Sequence, residues 1–232
     1  MSKIAVIDSG INKDDAICKL NIIQSLSIHL NENDKIVEMN NSECSNPHGT
    51  VIADIITQIN PLTEIIDINI LDDNLQTSGV ILINAINRAI ELKPHIINLS
   101  LGTDRLKYLI PMKSLISKAI KNNILVVAAY NNSNKLTFPA ALKSVIGVKK
   151  LSDLKILDNK NMYVYNKNIY YAPDSNSYIN SLNNIKSKYI IQGNSMSAAY
   201  ISGQLSVIID NNEGLLTEDV IKKLKINILN LK

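Results

Sequence analysis

Short apolar runs rich in β-branched residues, separated by stretches of helical periodicity, constrain this chain more than any other feature. The runs are "KIAVI" (3 to 7), "EIIDINIL" (64 to 71), "HIINLSL" (95 to 101), "ILVVAAY" (124 to 130) and "SVIGVKK" (144 to 150). Between them, "GTVIADIITQI" (49 to 59), "SGVILINAINRAIEL" (78 to 92) and "RLKYLIPMKSLISKAIKNN" (105 to 123) repeat apolar residues at helical spacing. Strands apolar on both faces must be covered on both sides, and strands that alternate with helices pair in parallel through helical crossovers. The pattern predicts an α/β chain with a mostly parallel central sheet, helices on both faces, and one domain over residues 1–232. In that architecture ligands bind at the carboxyl ends of strands, so functional residues are expected just after them. Residues 151–190 read differently. There "LKILDNKNMYVYNKNIYYAP" (154 to 173) alternates apolar and polar residues around Asn/Asp/Lys turns, as an antiparallel hairpin does.

Composition excludes several classes of function. At 232 residues and 46% hydrophobic the chain can bury a large core, which argues against disorder. Its 24 basic and 21 acidic residues are dispersed, giving a net charge of +3, so there is no footprint for nucleic acid or an anionic membrane surface. No apolar stretch reaches the length of a membrane span. The opening "MSKIAVIDSG" enters a strand-like run at once, with no room for a leader, so the chain as given is expected in the cytoplasm. Its two cysteines, Cys18 and Cys44, lack C-x-x-C spacing and read as reduced thiols, not as a disulfide or zinc site. The sequence sets no oligomeric state.

Three residues that follow strands or open helices carry the chemistry. Asp8 ends the first run before Ser9-Gly10, in what is also a common turn. His48 stands in "SNPHGTVIADII" at a helix start, where a histidine is as readily a surface or capping residue. Ser195 stands in "GNSMSAAYISG", where Asn194 or Ser195 reads either as a helix cap or as part of a nucleophile site. Together the three types suit acyl transfer. A serine hydroxyl needs an imidazole to take its proton, and the imidazole needs a carboxylate to fix its tautomer and stabilise its cation. Asn131, just beyond the run 124 to 130, reads as a turn residue or as an amide donor to the oxyanion, beside the Ser195 N–H.

The segments "AVIDSG", "PHGTVIA", "INLSLG", "VVAAYNN", "FPAALKSVIGV", "YYAP" and "GNSMSAAYISG" occur in the order of the successive motifs of the subtilisin-like serine proteases, and on these the chain resembles that family. The resemblance implies the three-layer subtilisin-like fold. It places Asp8, His48 and Ser195 on the catalytic triad and Asn131 on the oxyanion residue. It makes Ser100-Leu101-Gly102 the edge that pairs with an extended peptide or protein substrate, and Ala128-Ala129-Tyr130 a wall of the pocket for the residue before the scissile bond. Asp104 lies near the rim of that pocket in the family's layout, where it either pairs with a cationic side chain or opens the following helix.

Departures from the family pattern bear on substrate and regulation. Asn194, Ser197 and Ala199 replace the usual Thr, Ala and Pro around the nucleophile, and Tyr130 stands where a Gly usually precedes the oxyanion Asn. A bulky residue there narrows the pocket or reshapes its loop. With Asp8 so near the start of the chain as given, the resemblance leads us to expect a member without the family's signal peptide, pro-domain or first helical segment. "ITQINPLTEIIDINIL" omits the loop that binds calcium in many members, and Asp72-Asp73 with Asn74 is too sparse for a cage. No metal or cofactor is expected, so a chelator should leave the thermal midpoint unchanged; a large drop would reveal a structural ion.

These readings point to a serine endopeptidase with a narrow substrate, such as the leader of a modified precursor peptide. Some family members that mature lantibiotic-type peptides inside the cell also lack a signal and a pro-domain. Two alternatives stay open. One is a subtilase-fold module that binds peptides without cleaving them, and the other is an esterase using the same triad.

Overall fold

The computed structural model describes residues 1–41, 44, 46–133, 135–151, 163–174 and 191–226. Among these residues nine strands form one sheet in the order β3-β2-β4-β1-β5-β6-β7-β9-β8. They are β1 (Lys3–Asp8), β2 (Asn21–Leu30), β3 (Ile36–Asn40), β4 (Glu64–Asn69), β5 (Ile96–Leu99), β6 (Leu125–Ala129), β7 (Ile146–Lys150), β8 (Val164–Asn166) and β9 (Ile169–Ala172). The helices are α1 (His48–Ile59), α2 (Gly79–Glu91), α3 (Leu109–Lys121), α4 (Asn194–Asp210) and α5 (Thr217–Ile226). Every pairing from β2 through β9 is parallel. Only the edge pairs β2/β3 and β8/β9 are antiparallel.

The side-chain alternation of β1 explains the layers. Ile4 and Val6 point into a core shared with α1, α4 and α5, while Ala5 and Ile7 point into a second core shared with α2 and α3. A strand with no polar face is stable only between two such layers, as its composition predicts. Helix α4 is deeply buried. Its Met196, Ala198, Ala199, Ile201 and Leu205 are all fully enclosed, and a Cβ at Gly203 would come within 2.9 Å of the Ile59 side chain. Small residues here let α1 and α4 approach closely, which brings the starts of both helices to the same end of the sheet.

That end is the carboxyl end of β1, β5 and β6. From β1 the chain builds outward through β2 and β4, then crosses β1 to continue with β5, β6 and β7. The strand order therefore reverses around β1, and such a reversal opens a crevice at the strand ends.

Two sequence expectations are refined. The helix expected over 105 to 123 begins at Leu109, after a single 3-10 turn at Leu106–Tyr108, and Pro111 sits in its first turn, where a missing N–H costs no helix hydrogen bond. The hairpin expected over 154 to 173 is present in its second half as β8/β9, while 154–162 lie outside the described residues. The β2–β3 hairpin is an addition that the run pattern does not reveal.

Candidate active site

Asp8 closes β1 and is buried, 1% exposed. Its Oδ1 accepts the Ser9 N–H at 2.8 Å and lies 2.7 Å from His48 Nδ1. A carboxylate can only accept, so Nδ1 carries the proton and Nε2 is left as the basic nitrogen. Ser9 fastens the two halves together. Its hydroxyl donates to the Asn46 carbonyl at 3.0 Å and accepts the Gly49 N–H at 3.0 Å, holding the loop before α1 against the end of β1. Gly49 is required there, because a Cβ would collide with the Gly10 carbonyl. The His48 N–H is held by Asn46 Oδ1 at 3.0 Å.

Electrostatics follows from this burial and pairing. Burial alone would raise the Asp8 carboxyl. The charge and hydrogen bond of His48, with the Ser100 hydroxyl and the Ser9 N–H, outweigh it and hold Asp8 below the usual carboxylate value. Burial pushes the His48 imidazole down, and the charge and hydrogen bond of Asp8 more than reverse this, so His48 titrates above an ordinary histidine. At neutral pH the carboxylate is ionised, and protonation of the imidazole is eased.

Ser195 is half-buried and is the second residue of α4. The structure answers the capping question directly. The residue before the helix is Gly193, at φ 144°, which has no side chain to cap the N-terminus. The Ser195 hydroxyl donates instead to the Ser100 carbonyl at 3.4 Å. Ser100 follows β5 directly, and Asp8 ends the neighbouring strand β1, so Asp8, His48 and Ser195 are brought to one end of the sheet. Among the described residues no hydrogen bond joins Ser195 to His48.

Asn194 staples this turn. Its Oδ1 accepts the Lys150 N–H at the end of β7 at 2.7 Å, and its Nδ2 donates to the Tyr130 carbonyl after β6 at 2.9 Å. The Thr-to-Asn departure thus supplies a side chain with both a donor and an acceptor for two strand ends. Tyr130 has its ring against Gly147 of β7, with the Lys149 ammonium 5.1 Å from the ring centroid, so the ring is committed to packing on β7.

The turn after β6 separates two asparagines. Asn131 is exposed, and its Oδ1 accepts both the Ser133 N–H and the Ser133 hydroxyl at 2.7 Å. Asn132 reaches the nucleophile's segment. Its Oδ1 accepts the Asn194 N–H at 3.1 Å, and its Nδ2 lies 3.2 Å from where a Gly193 Cβ would stand. Sequence reading named Asn131 for the oxyanion, and the structure places Asn132 on the nucleophile's segment. β6 closes at Ala129, and the turn that follows is formed by Asn132 and Ser133.

The remaining expected residues are distributed as follows. Leu101 is half-buried and Gly102 exposed. Among the described residues neither makes a backbone–backbone hydrogen bond, whereas Thr103 pairs with Phe138 on both sides at 2.8 Å. Beside this free edge lies a cavity of about 720 Å³ whose lining includes Leu71, Ser78, Leu82, Leu101, Gly102 and Tyr108. Ala128 and Ala129 belong to β6, with side chains in opposite cores. Asp104 is exposed and lies ahead of the 3-10 turn, outside the first turn of α3. Among the described residues no cluster of His, Cys, Asp or Glu could hold a metal ion, and no helix is long and apolar enough to cross a membrane.

Comparison with known proteins bears on the family and the fold. The chain is 28% identical over 223 residues to the major intracellular serine protease of Bacillus subtilis (strain 168), covering 89% of this chain and 67% of that protein. A crystal structure of a lanthipeptide protease superposes with a TM-score of 0.74 at 20% identity, over 100% of this chain and 81% of that one. The prenylagaramide maturation protease PagA superposes with a TM-score of 0.64 at 22% identity, over 90% of this chain and 75% of that one. These superpositions establish the three-layer subtilisin-like fold. The sequence model of the subtilase family matches residues 2–229, nearly the whole chain, and the protein therefore belongs to the subtilases, the subtilisin-type serine endopeptidases.

Proposed function

We propose that the chain cleaves peptide bonds through Asp8, His48 and Ser195, and that its substrate is narrow, such as the leader segment of a modified precursor peptide in the cytoplasm. The observation that carries the mechanism is the 2.7 Å contact between His48 Nδ1 and the buried Asp8 carboxylate, at the end of the sheet where α4 presents Ser195. With Nδ1–H committed to Asp8, Nε2 is free to take the Ser195 proton. The hydroxyl turns from the Ser100 carbonyl toward Nε2 as substrate docks, in keeping with catalytic hydrogen bonds that tighten only in the complex. Ser195 Oγ then attacks the scissile carbonyl, and the imidazolium returns the proton to the leaving amine. Water repeats the cycle on the acyl-enzyme.

The oxyanion forms beside the N-terminus of α4, where the Ser195 N–H and the positive end of the helix dipole favour negative charge. A side-chain amide from the turn after β6 completes the hole. Asn131 was the expected donor, but Asn132 is the one lying on the Gly193-Asn194 segment. We assign the role to Asn132. Asn132→Ala is expected to lower kcat about 10²- to 10³-fold, the scale for one oxyanion donor, with Asn131→Ala within about tenfold of wild type. The reverse order would return the role to Asn131.

Substrate is bound by strand addition. The unpaired backbone of Leu101 and Gly102 offers an edge for an extended peptide, and the adjacent cavity receives side chains on the amino-terminal side of the cut. Asp104 at the exposed rim is available to a cationic residue. The narrow-substrate reading draws on the lanthipeptide protease and the prenylagaramide maturation protease among similar structures, and the cytoplasmic placement on the intracellular relative. The test is to incubate the protein with casein and with full-length modified precursor peptides, reading the products by mass. A single cut at a leader boundary, with casein left largely intact, supports the reading. Broad digestion of casein would replace it with a general peptidase.

A further inference from the structure

Among the described residues, two buried polar atoms beside the candidate triad have no hydrogen-bond partner: Asp8 Oδ2 and Ser100 Oγ. They come from neighbouring parallel strands. β1 and β5 run in register, with Val6 opposite Asn98 and Ile7 opposite Leu99, so the next pair along the same ladder is Asp8 and Ser100. Paired residues of a parallel ladder project to the same face. Burial rarely leaves a carboxylate oxygen and a hydroxyl side by side and both unsatisfied, and a hydroxyl can swing its proton onto any acceptor in reach. The Ser100 hydroxyl is also among the groups that hold the Asp8 carboxyl down.

We propose that Ser100 is a positioning residue for the triad: its hydroxyl donates to Asp8 Oδ2 while its carbonyl receives the Ser195 hydroxyl, so one residue sets both ends of the Asp8–His48–Ser195 line. This rests on the peptidase reading and adds a role to the substrate-pairing one given to Ser100 by its backbone. Asp8 Oδ1 is already held by His48 and the Ser9 N–H. A donor on Oδ2 fixes the remaining freedom of the carboxylate, rotation about its own axis, and with it the angle at which His48 Nε2 faces the nucleophile. It also shares the charge of the carboxylate. Without that donor more negative charge faces His48, which then keeps its proton to higher pH.

The test compares wild type, Ser100→Ala and Ser100→Thr, each shown to be folded by circular dichroism, by their rates of fluorophosphonate labelling from pH 5 to 9. Ser100→Ala is expected to label about 10- to 100-fold more slowly, the scale for one hydrogen bond to a charged group, with its acid limb moved to higher pH. Ser100→Thr keeps the hydroxyl and is expected to stay near wild type in both. Equal rates and limbs for wild type and Ser100→Ala would overturn the proposal. So would equal slowing of Ser100→Ala and Ser100→Thr with no movement of the limb, because that pattern marks a packing role. Absence of labelling on folded wild type would instead overturn the peptidase reading, and the positioning role with it.

Discussion

Replacing Ser195 or His48 with Ala is expected to lower kcat for peptide hydrolysis by about 10⁶-fold in each case, a magnitude carried over from the family. The double variant should lose no more than either single one. The reason is chemical. Without His48 the Ser195 hydroxyl keeps its proton and cannot attack, and without Ser195 the imidazole has nothing to activate, so the two act as one unit. The geometry requires this coupling, because His48 is already fixed by Asp8 at 2.7 Å and retains a single basic nitrogen. The measurement is single-turnover hydrolysis of a peptide cut by the wild type. Additive losses, or a His48→Ala enzyme within about tenfold of wild type, would mean that Ser195 is activated by some other group.

Asp8→Asn is the second large effect, with an expected loss in kcat of about 10⁴-fold. An amide in place of the carboxylate can donate to His48 Nδ1, which moves the imidazole proton to Nε2 and blocks the base. The pH profile gives an independent reading. In the wild type the neighbouring carboxylate raises His48, so activity should disappear as pH falls through a value above the ordinary histidine pKa of about 6.5. In Asp8→Asn the charge is gone while the burial remains, so the acid limb of the residual activity should move below that value. An unmoved limb would show that Asp8 does not set the basicity of His48.

Much of this site was legible in the sequence, for a definable reason. Asp8, His48 and Ser195 each stand at a junction between an apolar run and a turn or helix. Junctions of an α/β fold collect at one end of the sheet, so three distant positions could be assigned to one place before any coordinates. The runs themselves were legible because β1, β4, β5 and β6 are buried on both faces, which leaves a continuous apolar signature. β2 and β3 were not, because β2 is fully buried only at Leu26–Ile28, β3 is exposed along most of its length, and their pairing depends on the contact of β2 with β4 and on the turn near Asn31.

The details that failed to show are those set by tertiary contacts. Tyr130 was expected to narrow the substrate pocket or to reshape its loop, and its ring packs on Gly147. Periodicity cannot say to which side a residue turns once a strand has ended. Asn131 and Asn132 are alike in type and adjacent, and only the approach of Gly193 distinguishes them. Asn194 read as a helix cap or as part of the nucleophile site. Its role lies in bonds to Tyr130 and Lys150, which are 64 and 44 positions away in the chain.

The central claim, that Ser195 is an activated nucleophile, is tested most directly by fluorophosphonate labelling of the purified protein, read by intact mass. The account predicts a single adduct on the wild type, absent from Ser195→Ala and from heat-denatured wild type. A folded wild type that acquires no adduct would contradict it, and would favour a protein that keeps the subtilase fold to bind peptides without cutting them.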